Sequence, residues 1–270
     1  MTRVWEDTAL YFRLVNAQLR GKLQYKANTI IQIVSHFMVT FVDFAGIAVL
    51  FNRFPTLQGW SLNEIAFLYG VASISFSFAM LLVRGFETFD RYIQKGELDR
   101  VLTRPLSPFV QIMAAELPLH RLGRLGQGLL VLIFALAGLK VQWDVAKILL
   151  LLMTLLAGIL IFVALFTLGA VSTIWTISTA ELTNIFTNGG AYLTSFPLSI
   201  YQEWFRDFFI FVVPLAFINY LPTLIILDKG SMADLPLWLG WLPLPVAVAF
   251  MGLSLLMWEY GLKKYQSTGS

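Results

Sequence analysis

His36, His120 and Asp43 are the side chains of this sequence best suited to moving a proton or holding an ion. Asp43 lies in an apolar run seven residues after His36, two helical turns on, so both fall on nearly one helix face with Ser35 and Thr40 nearby. A carboxylate in such a run is costly in hydrocarbon and defaults to a functional hypothesis. It can line a substrate path, pair with a neighbouring helix, or sit near the headgroups. Asn219 and Tyr220, flanked by Pro214 and Pro222, form a second candidate lining, because the prolines free backbone carbonyls there; the alternative is a simple bend. The two histidines fall in different segments and there is no cysteine, so His-cluster metal sites, thiolate ligands and disulfides are excluded. Catalysis needs a convergent nucleophile and base or a metal, and no residues of this sequence supply them. We assign no catalytic and no metal-binding residue.

The elements that must position these residues are membrane spans. The chain has 270 residues, 58% hydrophobic and 13% charged, with a mean hydropathy of +0.74. Soluble domains carry about 25% charged residues. A soluble enzyme, a disordered tail and a nucleic-acid-binding module all fit poorly. A helix needs about 20 mostly apolar residues to cross roughly 30 Å of hydrocarbon. Six segments qualify: Thr29–Phe51, Leu62–Val83, Leu125–Leu139, Ile148–Trp175, Phe208–Leu227 and Leu237–Trp258. The third is short, and the apolar stretch Phe109–Leu119 predicts that it extends upstream as one long helix. The sequence therefore predicts an all-α polytopic membrane protein with six transmembrane helices.

Lys and Arg collect on the cytoplasmic side of bacterial inner-membrane proteins. Fifteen of the 19 lie before span one, between spans two and three, between four and five, or after six; the other four are Arg53, Lys140, Lys147 and Lys229. That split predicts two cytoplasmic termini and a multi-pass protein of a bacterial inner (cell) membrane. Trp60, Trp143, Trp238 and Trp241 fall near the outer span ends and Trp175, Trp204 and Trp258 near the inner ones, as interfacial belts require. The first 26 residues lack a continuous apolar core and include Glu6 and Asp7, so a cleavable signal peptide is not expected.

Within this single transmembrane domain, three regions lie outside the spans. In residues 1–26, Val4, Trp5, Tyr11, Phe12, Val15, Leu19 and Leu23 recur near helical spacing, which predicts an amphipathic helix in the plane of the membrane, or else a solvated leader. In residues 84–108, Phe86, Phe89 and Ile93 repeat at i, i+3, i+7 and predict a short amphipathic helix that Gly96 ends. Leu98, Val101 and Leu102 form a second apolar patch, and Pro105 and Pro108 stop further helix. Such helices either fold back on the membrane or dock a soluble partner. Residues 228–245 are apolar but broken by proline and glycine, suiting a re-entrant hairpin or an interfacial loop. Glu116, His120, Arg121 and Arg124 read as an interfacial charge cluster, and Glu181 and Glu203 as candidate contacts to a soluble partner.

Gly96, Leu98, Asp99, Leu102, Arg104 and Pro105 spell G-x-L-D-x-x-L-x-R-P. That motif resembles the one in the second-to-third-helix loop of ABC-2 family permeases, the six-helix membrane subunits of ABC exporters. Pro197 and Tyr201, with Pro214, Phe217, Tyr220 and Pro222, are also similar to the family. The resemblance covers essentially the whole chain. It implies that Phe86–Arg104 forms a cytoplasmic coupling helix on a separate ABC ATPase, with Phe86, Phe89, Ile93, Gly96, Leu98, Asp99, Leu102, Arg104 and Pro105 as ATPase-coupling residues. It also implies a second permease, identical or homologous, surrounded by membrane lipids. The sequence contains no G-x-x-x-x-G-K-[ST] phosphate loop, so no cofactor is expected on this chain, and ATP and Mg belong to the partner ATPase. The implied function is outward movement of a hydrophobic or amphipathic substrate. A proton-coupled secondary transporter built on Asp43 and His36 is the rival class.

Overall fold

The computed structural model describes residues 2–176, 184–230 and 235–266, which form helices and turns. The amphipathic leader is helix α1 (Thr2–Leu23). It ends at a turn in which the Gln24 and Tyr25 N–H groups donate back to Gly21 and Lys22, and α2 (Lys26–Arg53) follows. The remaining helices are α3 (Leu62–Glu87), α4 (Phe89–Gln94), α5 (Glu97–Leu102), α6 (Pro108–Met113), α7 (Arg121–Gly138) and α8 (Val145–Thr176). After them come α9 (Gly190–Leu193), α10 (Glu203–Asp207), α11 (Tyr220–Ile226) and α12 (Pro243–Lys264).

Five helices are long and apolar enough to cross a bilayer: α2, α3, α7, α8 and α12. A sixth crossing exists if Glu203–Val212 and Leu215–Ile226, bent by 78° at the break, count as one span. The break sits at Pro214, which has no N–H to continue the helical ladder; a π-helical turn (Phe208–Val212) precedes it and a 3-10 turn (Leu215–Phe217) follows. Span five is therefore two pieces rather than the continuous helix its hydropathy suggests.

Helix α3 is the centre of the bundle, with 83% of its apolar window buried against 11% for α2. Its small side chains Ala72, Ser73, Ser75 and Ser77 let α7 and α8 approach closely, and lipid supplies no competing hydrophobic drive. Helix α12 lies along α8, and α2 flanks α7. Gly123 marks the α2–α7 contact: a Cβ there would collide with the Ile33 carbonyl oxygen.

Several local expectations are corrected. Phe109–Leu119 does not extend span three; α6 is a separate helix packed on α3, and residues 114–120 are non-helical up to Arg121. Pro118 explains this, because it lacks an N–H and disfavours helical geometry at Leu117. Pro108 does not stop a helix but starts α6, at the first position where a missing N–H is harmless. Span six begins at Pro243 and ends at Lys264, about six residues later than its hydropathy predicts, because Leu237–Trp241 forms a 3-10 turn against α11. Of the 228–245 segment, residues 228–230 and 235–245 are described; residues 231–234 and Glu181 lie outside the described residues. Trp60 and Trp258 are not belt residues: both are buried.

Candidate functional site

The α3–α7 loop folds as a compact shelf across one end of the bundle. Helix α3 bends at Val83, whose φ of −128° and ψ of 27° are not helical, and carries Phe86 in its last turn. Gly96, at a φ of 64°, separates α4 from α5 in the left-handed conformation that only glycine adopts freely. Four apolar residues of the shelf face inward. Phe86, Phe89, Ile93 and Leu98 are buried. Phe86, Phe89 and Phe109 surround Trp258 of α12 at ring separations of 5.2, 5.4 and 5.7 Å. These residues do not form the surface that a partner would touch. They weld the shelf to the last span.

The outward face of the shelf is polar and basic. Arg91, Lys95, Arg100 and Arg104 are exposed on it, together with Glu97, Leu102 and Pro105. Gln111 Nε2 donates to the carbonyls of Val101 (3.3 Å) and Leu106 (3.2 Å), fixing the turn that holds Arg104 and Pro105. Helix α1 braces the shelf from the side: Tyr11 donates to the Leu82 carbonyl at 3.2 Å and Gln18 to the Ala114 carbonyl at 2.6 Å. Burial raises the Tyr11 phenol above its usual pKa. A cavity of about 260 Å³ lies between Gln18, Tyr92, Arg100, Arg104 and Gln111. Tyr265, at the end of α12, is also raised, by burial and then by the neighbouring Asp99 of the motif.

The intramembrane candidates separate. His36 is half-buried and faces His120, ring centroids 4.4 Å apart, rather than Asp43. Asp43 is exposed on the outer side of α2 and lines no path within this chain. Asn219 is buried, and its amide donates to the carbonyls of Leu68 (3.0 Å) and Thr194, so it braces the break in span five. Tyr220 is buried with its ring 6.0 Å from that of Trp60.

A cluster inside the α2–α3–α7 triangle carries more chemistry than its sequence suggested. The Arg124 guanidinium lies 4.6 Å from the centroid of Phe76 and 6.0 Å from that of Tyr192, and Arg121 lies 5.8 Å from the same Phe76 ring. Neither arginine has a carboxylate within ion-pair distance among the described residues. Gln127, Ser73 and Ser77 are buried; the Tyr69 hydroxyl lies against Ser73 and Gln127, and the Ser77 hydroxyl meets no hydrogen-bond partner among the described residues. Burial, then His36 and the cations Arg121, Arg84 and Lys22, push His120 down to about 4, so its ring is neutral at pH 7. Helical spacing of Arg124 and Gln127, and of Ser73 and Ser77, is the signal that was present in the sequence.

At the opposite end of the bundle two lysines meet carboxylates. Lys229 meets Glu64 at 3.0 Å, donates to the Gly59 carbonyl at 2.8 Å, and lies 4.4 Å from the Trp60 ring centroid. Lys147 meets Asp228 at 2.5 Å. Between α8 and α12 there is also an apolar cavity of about 420 Å³, lined by Leu165, Leu168, Phe186, Val213, Phe250 and Leu253.

Compared with known proteins, residues 37–269 match the family model described as ABC-2 family transporter protein. Neither a curated protein nor a solved structure gives a match.

Proposed function

The chain belongs to the ABC-2 transporter family, and from that premise we propose that it is the membrane-spanning permease subunit of an ATP-driven exporter. It moves a hydrophobic or amphipathic substrate outward, and ATP with Mg is handled by a separate ABC ATPase. The shelf of α4 and α5 is the coupling element, facing the cytoplasm with both termini, in a bacterial inner membrane. The observation that carries this reading is the shelf's two-sidedness. Its apolar face is fastened to α3, α8 and α12, while its basic face is open. A push on the basic face is transmitted to the spans because Phe86, Phe89, Ile93 and Leu98 pack without slack. The residues that touch the ATPase are then Arg91, Lys95, Arg100, Arg104 and their exposed neighbours, and the buried motif residues act through them.

A second permease is supported by α2. Its exposed Asp43 in the middle of an apolar helix leaves a carboxylate that hydrocarbon solvates poorly, and a facing subunit would cover it. The proton-coupled carrier has weaker support, because His36 and Asp43 have different surroundings and form no relay with one another.

The test is gentle detergent purification from the native membrane followed by intact-complex mass spectrometry. An ATPase recovered in fixed ratio, and lost when Arg91 and Arg100 are both changed to Glu, is the expected result. A chain that emerges alone after crosslinking through exposed shelf positions would overturn the proposal.

A further inference from the structure

A buried Arg124 and a half-buried Arg121, neither within ion-pair distance of a carboxylate among the described residues, are unusual in a membrane protein, where a buried charge needs a partner or neutralisation. Arg124 is only 7% exposed, and its Nε has no acceptor among the described residues. Around it stand Gln127 and Ser73, both against the Tyr69 hydroxyl, the unpaired hydroxyl of Ser77, and Arg121 and His120 one turn nearer the shelf. Nearby carboxylates are committed elsewhere or distant. Glu87 pairs with Arg84, Glu116 lies 3.7 Å from Arg84, and Asp43 acts on Arg124 from beyond ion-pair distance. The cluster therefore has spare donors and a spare positive charge, and it lacks an anion.

A second observation gives the shape of what would supply it. Between α2 and α7 runs an apolar crevice of about 220 Å³, walled by Phe37, Phe41, Phe44, Leu130 and Phe134, with Gln127 among its lining residues. Gln127 lies one helical turn after Arg124, so the apolar crevice and the arginine cluster adjoin on α7. An apolar crevice beside a buried cation that has no ion-pair partner is the complement of an anionic amphipath. We propose that the cluster of Arg121, Arg124 and Gln127 binds the anionic headgroup of a membrane amphipath, of the phosphodiester or carboxylate class, whose acyl chain occupies the α2–α7 crevice. The inference goes beyond the exporter reading: binding needs neither ATP nor an ATPase, and failure of one does not imply failure of the other.

The test uses the full chain, delipidated in mild detergent and titrated with phosphatidylglycerol, with phosphatidylcholine of matched chains, or with inorganic phosphate, bound species being counted by native mass spectrometry. Phosphatidylglycerol should bind about tenfold more tightly than phosphatidylcholine, the factor given by one charge-assisted hydrogen bond of about 1.4 kcal/mol. Arg124→Gln should bring the ratio near one. Gln127→Glu should do the same by supplying an internal carboxylate to Arg124, and it keeps the proposal testable if Arg124→Gln does not fold. Lys229→Met, at the other end, should leave the ratio unchanged. Equal binding of the two lipids by the unaltered chain, or a preference that survives both Arg124→Gln and Gln127→Glu, would overturn the site. Displacement of phosphatidylglycerol by millimolar inorganic phosphate would overturn the lipid as its source.

Discussion

The two ends of the bundle hold their cations in opposite ways. At the end carrying the 57–64 turn and the start of α8, Lys229 and Lys147 each meet a carboxylate, and Trp60 closes over the first of them. At the shelf end, Arg121 and Arg124 lie on aromatic rings without an acid, and cohesion comes from the aromatic cluster around Trp258. At the first end these two lysines are paired within this chain. The second is mechanically tight but electrically open, and both proposed interactions, with the ATPase and with an anion, fall there.

The sharpest way to break this contrast is to attack the mechanical part of the shelf end. Trp258→Ala should destabilise the chain by about 3–5 kcal/mol, as removal of a buried large aromatic does, read as loss of monodisperse protein in detergent. Phe89→Asp should be worse, because it buries a charge against that cluster. If either variant is as stable as the unaltered chain, the shelf is not welded to α12.

Opposite signs are expected for cation removal at the two ends. Lys229→Met leaves the half-buried Glu64 without its partner and should lose about 1–3 kcal/mol. Adding Glu64→Gln should restore part of that. Arg124→Met removes an unpaired buried charge, so in delipidated protein it should be neutral or stabilising, within about 1 kcal/mol. Thermal unfolding in detergent compares them directly. A loss at Arg124 equal to that at Lys229 would mean that Arg124 already has an internal partner.

The smallest effect concerns pH. His120 is held at about 4 in the folded chain by burial, His36 and the cations Arg121, Arg84 and Lys22, below its ordinary 6.5. Between those values the unfolded chain binds more protons at this residue, so stability falls as pH drops from 6.5 toward 4. His120→Gln should flatten that part of the stability–pH curve. A curve that is unchanged by the substitution would show that His120 does not carry the dependence.

The candidate site was only partly legible. The motif Gly96–Pro105 located the shelf, and Gly96 terminates α4 as its backbone freedom requires. The direction of its apolar face was not legible, since a face that packs inward and one that docks a partner have the same spacing. Asp43 and His36 share a helix face, yet His36 meets His120 from a loop far away in the chain, and Asp43 points outward. Arg121 and Arg124 read as part of an interfacial cluster because nothing in their own segment says that α3 covers them.

By itself the sequence determined the membrane habitat, the approximate positions of the spans, the amphipathic leader, the proline-flanked stretch of span five and the family motif. These are local properties: hydropathy over about 20 residues, helical period, and the missing N–H of proline. The tertiary structure decided which span is central, where Trp258 and Trp60 are buried, which carbonyls the Asn219 amide donates to, and that Arg121 and Arg124 have no carboxylate within ion-pair distance among the described residues. Those outcomes depend on which helix packs against which, and in a chain whose spans are almost equally apolar, composition cannot rank the pairings.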